Sequence, residues 1–139
     1  MFIDDKESVD VMTYYKKTGH DYEAYTAKEF SCLKLQEDDK KSYNIVKIKA
    51  AVLTWGLYNE LQEASLLITD AGDRQFNYRL YKENRLTKMI KEWDAKDKEG
   101  KPVPVNEKTI LHLSPVVAEA ILRALDELSF VGEEEENLS

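Results

Sequence analysis

Few residues of this 139-residue chain could take part in covalent or metal chemistry, and their spacing argues against it. The two histidines, His20 and His112, lie far apart, with no patterned cysteine or carboxylate beside either. Zinc sites and nucleophile–histidine–acid triads both need such partners, so His112 reads as a helix-end residue and His20 as a surface one. The single cysteine, Cys32, falls in an apparent strand, where a buried structural thiol is expected rather than a nucleophile. The stretch Asp94-Ala95-Lys96-Asp97-Lys98-Glu99-Gly100 invites comparison with a calcium loop. Setting Gly100 on the invariant glycine puts Ala95 at the first ligand position and Asn106 where a bidentate glutamate belongs. With two lysines inside it, the segment reads as a charged turn. The five glycines form neither GxGxxG nor a Walker motif. Asp4-Asp5 and Asp38-Asp39 could ligate magnesium in principle, but adjacent carboxylates in polar connectors read as solvated surface. No catalytic residue, cofactor site or metal site is therefore expected, and the chain reads as a non-enzyme.

The aromatic residues point elsewhere. Of eight tyrosines, Tyr14, Tyr15, Tyr22, Tyr25 and Tyr43 fall in the first 45 residues. Tyrosine and tryptophan combine a broad apolar face with a hydrogen-bonding tip, which suits protein interfaces. Trp55, Tyr58, Trp93, Tyr14 and Tyr15 are accordingly the candidate protein-binding residues. Packing of an N-terminal arm on its own domain is the competing reading for the tyrosines.

The elements that would position these residues form a mainly helical α+β pattern: a small N-terminal β element, a hairpin, followed by a bundle of about four helices. Residues 1–29 read as an arm of little pattern, 30–131 as one globular domain, and 132–139 as an acidic disordered tail. Phe30 to Leu35 alternates like a strand. Asn44 to Val52 does so more clearly, with Val46, Ile48, Ala50 and Val52 set against Lys47 and Lys49. Thr54 can cap a helix whose face holds Leu57, Tyr58, Leu61, Ala64 and Ile68, until Asp70-Ala71-Gly72-Asp73 breaks it. A long helix is expected from about Asp73 to Trp93, with its apolar stripe slipping near Lys82-Glu83-Asn84. Pro102 and Pro104 hold the next segment extended. Asn106 then caps a short helix, with Val105 and Ile110 placed as a hydrophobic staple. Ser114 caps the last helix with Pro115 at its first turn, and that helix has an apolar face of Val117, Ala120, Ile121, Ala124, Leu125 and Leu128.

Composition bounds the partners. At this length, one domain burying roughly two-thirds of its unfolded surface is expected. The net charge of −7 opposes non-specific binding to a phosphate backbone, so no nucleic acid is expected. The apolar runs are too short to span a bilayer, and Met1-Phe2-Ile3-Asp4-Asp5 lacks a signal-peptide pattern. With one cysteine besides, a cytoplasmic location is expected.

One run of motifs carries a resemblance. Leu53-Thr54-Trp55-Gly56 opens a helix, a long helix ends at Trp93-Asp94, and Asp97-Lys98-Glu99-Gly100-Lys101-Pro102-Val103-Pro104-Val105 follows. Leu113-Ser114-Pro115-Val116-Val117 and an acidic end complete the run. Over about residues 43–139 this resembles the tail assembly chaperones of long-tailed bacteriophages and prophages. The resemblance implies a host-cytoplasmic factor that binds the tape measure protein, keeps it soluble and helps tail tube subunits polymerise around it. It leaves homo-oligomerisation open. A structural tail or head–tail connector subunit, or a small acidic inhibitor of a host protein, are the alternatives.

Overall fold

Hydrophobic alternation at period two builds the centre of the molecule. In the computed structural model, which describes residues 1–4 and 6–138 (the backbone alone from 129 onward), the segment Asn44–Ala51 is strand β3 of a four-stranded antiparallel sheet. For consistent numbering along the chain, β1 is Ser8–Thr18, β2 is Asp21–Thr26, α1 is Ala27–Cys32 and α2 is Glu37–Lys40. After β3 come α3 (Trp55–Ala64), β4 (Leu66–Ile68), β5 (Arg74–Phe76), α4 (Tyr78–Met89), β6 (Ile90–Trp93), α5 (Glu107–Leu111) and α6 (Pro115–Leu138). The sheet order is β2-β1-β3-β6, and β4 and β5 form a separate two-stranded ribbon.

The expected helical bundle is replaced by an α+β domain with 40% helix and 29% strand. Three misreadings account for the difference. First, the residues taken for an arm form the β1–β2 hairpin, and β1 is a central strand of the sheet, paired to both β2 and β3. Gly19, with φ of 65°, is the first residue of the two-residue turn, a position that favours glycine in hairpins of this kind. Second, Phe30 belongs to helix α1. Thr26 and Glu29 form a capping box, in which Thr26 Oγ1 accepts from the Glu29 N–H at 3.1 Å and Glu29 Oε1 from the Thr26 N–H at 2.9 Å. The partner of β3 is therefore β1, and Cys32 is exposed at the end of α1.

Third, the helix expected to run from Thr54 through Ile68 stops at Ala64, with Leu66–Ile68 forming β4, and the long helix expected from Asp73 to Trp93 is β5, α4 and β6 in turn. Asn77 starts α4 by accepting the Leu80 N–H at 2.9 Å. Beyond Met89 the chain becomes a strand with an irregular register: Trp93 faces Ile48, Glu92 faces Lys49, and Ile90 faces Ala50. The extra residue, Lys91, lets Ile90 and Trp93 both point to the core although they are three apart. A bulged strand thus reproduces a helical spacing.

The core lies between one face of the sheet and the apolar stripe of α6. Val11, Ala24, Val46, Ile48 and Ala50 pack with Val117, Ala120, Ile121, Ala124 and Leu125, as Leu61, Leu86, Met89 and Ile110 complete it. At ~25 cal/mol per Å² of apolar area removed from water, a fully buried aliphatic side chain is worth about 2 kcal/mol. Leu128 lies on the expected apolar face but remains 41% exposed. Two ties fasten α6 to α1 and to the end of the hairpin. Arg123 makes a two-pronged ion pair with Glu29 at 2.9 and 3.1 Å, and Thr26 Oγ1 donates to Glu127 Oε1 at 2.8 Å. The expected acidic tail, residues 132–139, lies outside the residues whose side chains are described.

Candidate functional site

The short segment between β6 and α5 does not lie flat on the sheet, and a cleft opens beneath it. Asp97 ends the strand-like run after β6 with a charged turn: its Oδ1 accepts the Glu99 and Lys101 N–H groups at 2.9 and 3.0 Å. The chain then doubles back, so that Lys96 faces Pro102 and the Val103 N–H donates to the Ala95 carbonyl at 3.0 Å. Trp93 locks this strut through an Nε1–H bond to the Val103 carbonyl at 2.6 Å. Pro104 and Val105 lead into the capping box of α5, where Asn106 Oδ1 accepts the Thr109 N–H at 2.9 Å. Val105 packs against the core and Ile110 is buried, as a hydrophobic staple requires.

The cleft has a volume of about 790 Å³, within the ordinary range for ligand sites. Its floor is apolar: Val46 from β3, with Val117 and Ile121 from α6. Tyr15 and Tyr22 form one wall and Trp93, Ala95 and Val103 another. Lys96, Lys108, His112 and Ser114 stand at its polar margin. The Tyr15 and Tyr22 rings meet at 6.4 Å. They share a face because the Gly19-His20 turn pairs Tyr15 with Ala24 and Lys17 with Tyr22, leaving the two tyrosines diagonal neighbours. Burial raises the pKa of the Tyr15 phenol, with Tyr22 and Asp94 adding to the effect, so the group stays a hydrogen-bond donor. The Asp94 carboxylate is engaged elsewhere: its Oδ1 accepts the Lys47 N–H at 2.8 Å. His112 Nδ1 lies 2.7 Å from the Lys108 carbonyl, which can only accept, so Nδ1 carries the proton and Nε2 is left free.

Of the five candidate residues, the structure brings two together here, Tyr15 and Trp93. Tyr14 is one position along β1 and points to the opposite face of the sheet, where it stacks on Phe30 at 4.1 Å. That face carries a second aromatic group. Tyr25 and Tyr43 donate to the two oxygens of Glu23 at 2.9 and 3.0 Å, and Phe30 meets Tyr43 edge-on at 5.1 Å. Trp55 and Tyr58 stack on each other on α3, 77% and 40% exposed, and line no part of the cleft. Sequence reasoning left Tyr22, Lys96, Lys108 and His112 out of the site. Tyr22 was accessible to it through the hairpin register, whereas the other three depend on how the strut folds back. Among the described residues no group of three or more histidine, cysteine or acidic side chains is placed to hold a metal ion, and no helix is long and apolar enough to cross a membrane.

Compared with protein-family models, with curated proteins and with solved structures, the chain matches none.

Proposed function

We propose that this chain is a non-enzymatic protein-binding factor that holds an apolar-faced segment of another protein in the cleft beneath the strut. The observation that carries the reading is the convergence of Tyr15, Tyr22, Trp93 and the apolar floor from five separate elements on one open cavity of about 790 Å³. A groove with aromatic walls and an apolar floor is what an amphipathic helix or extended segment recognises. Among the described residues the one side-chain hydrogen bond of His112 goes to the Lys108 carbonyl, and none joins it to Ser114 as a base would be joined to a nucleophile. Taken with the resemblance over about residues 43–139, the particular role proposed is that of a phage tail assembly chaperone acting on the tape measure protein and tail tube subunits in the host cytoplasm.

The test is affinity capture of the tagged chain from phage-infected or induced cells, beside a His112→Trp variant. His112 is exposed at the margin of the cleft, so the larger ring obstructs the opening without disturbing the core. Recovery of a very long helical protein with tail tube subunits, lost in His112→Trp, supports the role. Presence of the chain in finished particles would instead make it a structural subunit, a reading favoured by the exposed apolar ribbon, where Ile68 and Phe76 are 78% and 42% exposed. Retention of the same partners by His112→Trp would remove the cleft from the interaction.

A further inference from the structure

The charge around the cleft runs against the charge of the molecule. The chain has 27 acidic and 20 basic side chains excluding histidine, yet among the described side chains no aspartate or glutamate lines the cleft, while two lysines do. Neither Lys96 nor Lys108 is ion-paired with a described carboxylate. The hydroxyls of Tyr15, Tyr22 and Ser114 also have no hydrogen-bond partner among the described residues. Around the apolar floor the unpaired groups are thus two cations and three hydroxyls able to donate, against one free ring-nitrogen acceptor at the margin, His112 Nε2. Carboxylates satisfy such a set, because they accept from ammonium and hydroxyl alike. A cationic partner would be repelled by the two lysines at the cleft, against which only the distant net field of the protein and the aromatic faces would favour its charge.

We propose that the occupant of the cleft is an acidic amphipathic segment of a partner protein, its apolar side chains on the floor and its flanking carboxylates on Lys96 and Lys108. This rests on the protein-binding reading given above and specifies the chemistry of the partner. The selectivity is counter-intuitive for a protein of net charge −7: its overall field slows the encounter with an acidic segment, and the cleft must compensate locally. Discrimination then resides in contact at the site rather than in long-range steering.

The experiment uses the full chain in a Trp55→Phe background, which leaves Trp93 in the cleft wall as the sole tryptophan. Two synthetic helical peptides share leucines at i, i+3, i+4 and i+7 and differ in carrying glutamate or lysine at the remaining positions. Binding is read from Trp93 emission and from anisotropy of a labelled peptide. The expected result is a shift of Trp93 emission by the glutamate peptide, at an affinity about tenfold above the lysine peptide. Added salt should weaken it, and Lys96→Glu/Lys108→Glu should cut it about tenfold or more. Both lysines are exposed, so the double variant keeps the fold, which circular dichroism verifies. Equal or tighter binding of the lysine peptide, or no effect of the double variant, overturns the acidic preference while leaving a protein-binding cleft intact. Binding of neither peptide, with Trp93 emission unchanged, overturns the proposal and tells against the cleft as a protein site at all. A Trp93 response to a simple fatty carboxylate but to neither peptide overturns it in favour of a small amphipathic ligand.

Discussion

Glu23 shows how one carboxylate can set the alkaline limit of a fold. It accepts from both Tyr25 and Tyr43 on the sheet face opposite the cleft. Burial, followed by the Glu23 hydrogen bond and charge, pushes the Tyr43 phenol up to about 12 from an ordinary value of 10.0. Tyr25 is raised chiefly by its own bond to Glu23. The sign follows from linkage: between the ordinary and the raised value the unfolded chain releases the phenolic proton and the folded one keeps it. Stability from this group is fully present below about pH 10 and lost as pH climbs towards about 12. The expected outcome is a tyrosinate absorbance titration with a late component that Tyr43→Phe removes. In the same variant the melting temperature should fall less steeply above about pH 10, measured by circular dichroism across that range.

At the scale of elements, capping decides where helices begin. Thr26 is fully buried, accepts the Glu29 N–H and donates to Glu127 on α6, so one hydroxyl both starts α1 and ties the hairpin to the long helix. Thr26→Ala should cost about 1–2 kcal/mol in urea unfolding. Thr26→Ser, which keeps the hydroxyl, should recover about half of that loss. The Glu29–Arg123 pair acts in the same place. Arg123 holds the Glu29 carboxyl below its usual range, so its contribution is present at neutral pH and lost as acid protonates the carboxyl. Farther along, Val105 secures the strut by packing before α5. Val105→Asp should lower the melting temperature, with a cost of about 1–3 kcal/mol. A melting temperature equal to wild type would mean the staple contributes nothing.

For the whole molecule, the sheet order sets a gradient of stability. β1 and β3 are the inner strands, paired on both sides at Thr13–Tyr15 and Ile48–Ala50 respectively, and lie under α6, whereas β4 and β5 pair only with each other and expose Leu67, Ile68 and Phe76. Two-stranded ribbons on their own are marginal. Amide exchange followed by mass spectrometry should therefore show the slowest amides in residues 11–15 and 46–50, and fast exchange through the 66–76 ribbon. Equal protection of the ribbon would indicate that it is covered, as a partner or second copy would do. The surface pairs Lys82–Glu119 and Lys88–Glu60, at 2.6 and 2.8 Å, link neighbouring helices, but solvent screening leaves such pairs weak and they do not alter the gradient.

Several local signals were enough for the sequence alone to determine the result. Thr54 and Asn106 cap α3 and α5 through hydrogen bonds to Leu57 and Thr109 N–H groups at 3.0 and 2.9 Å. The last helix begins at Pro115 as expected but, among the described residues, without the side-chain cap expected of Ser114, whose carbonyl accepts the Ala118 N–H at 2.9 Å, and five of the six residues expected on its apolar face are buried. The alternation of residues 44–52 became β3 for the same reason: period and burial agree within a single element. A closer reading would also have found the hairpin at Gly19 and the capping box of Thr26 and Glu29, since both are written in adjacent residues. Other features belong to tertiary structure alone. Ile90 and Trp93 carry a helical spacing, and only pairing with β3 through a bulge turns them into a strand. Tyr14 and Tyr15 are neighbours of one type, and the covering of a single sheet face by α6 sends one to an aromatic stack and the other into the cleft. Lys96 and Lys108 share that cleft because the chain folds back between them. Short-range geometry is carried by bonds between near neighbours, whereas a site assembled from distant segments exists only once the core has chosen which faces to bury.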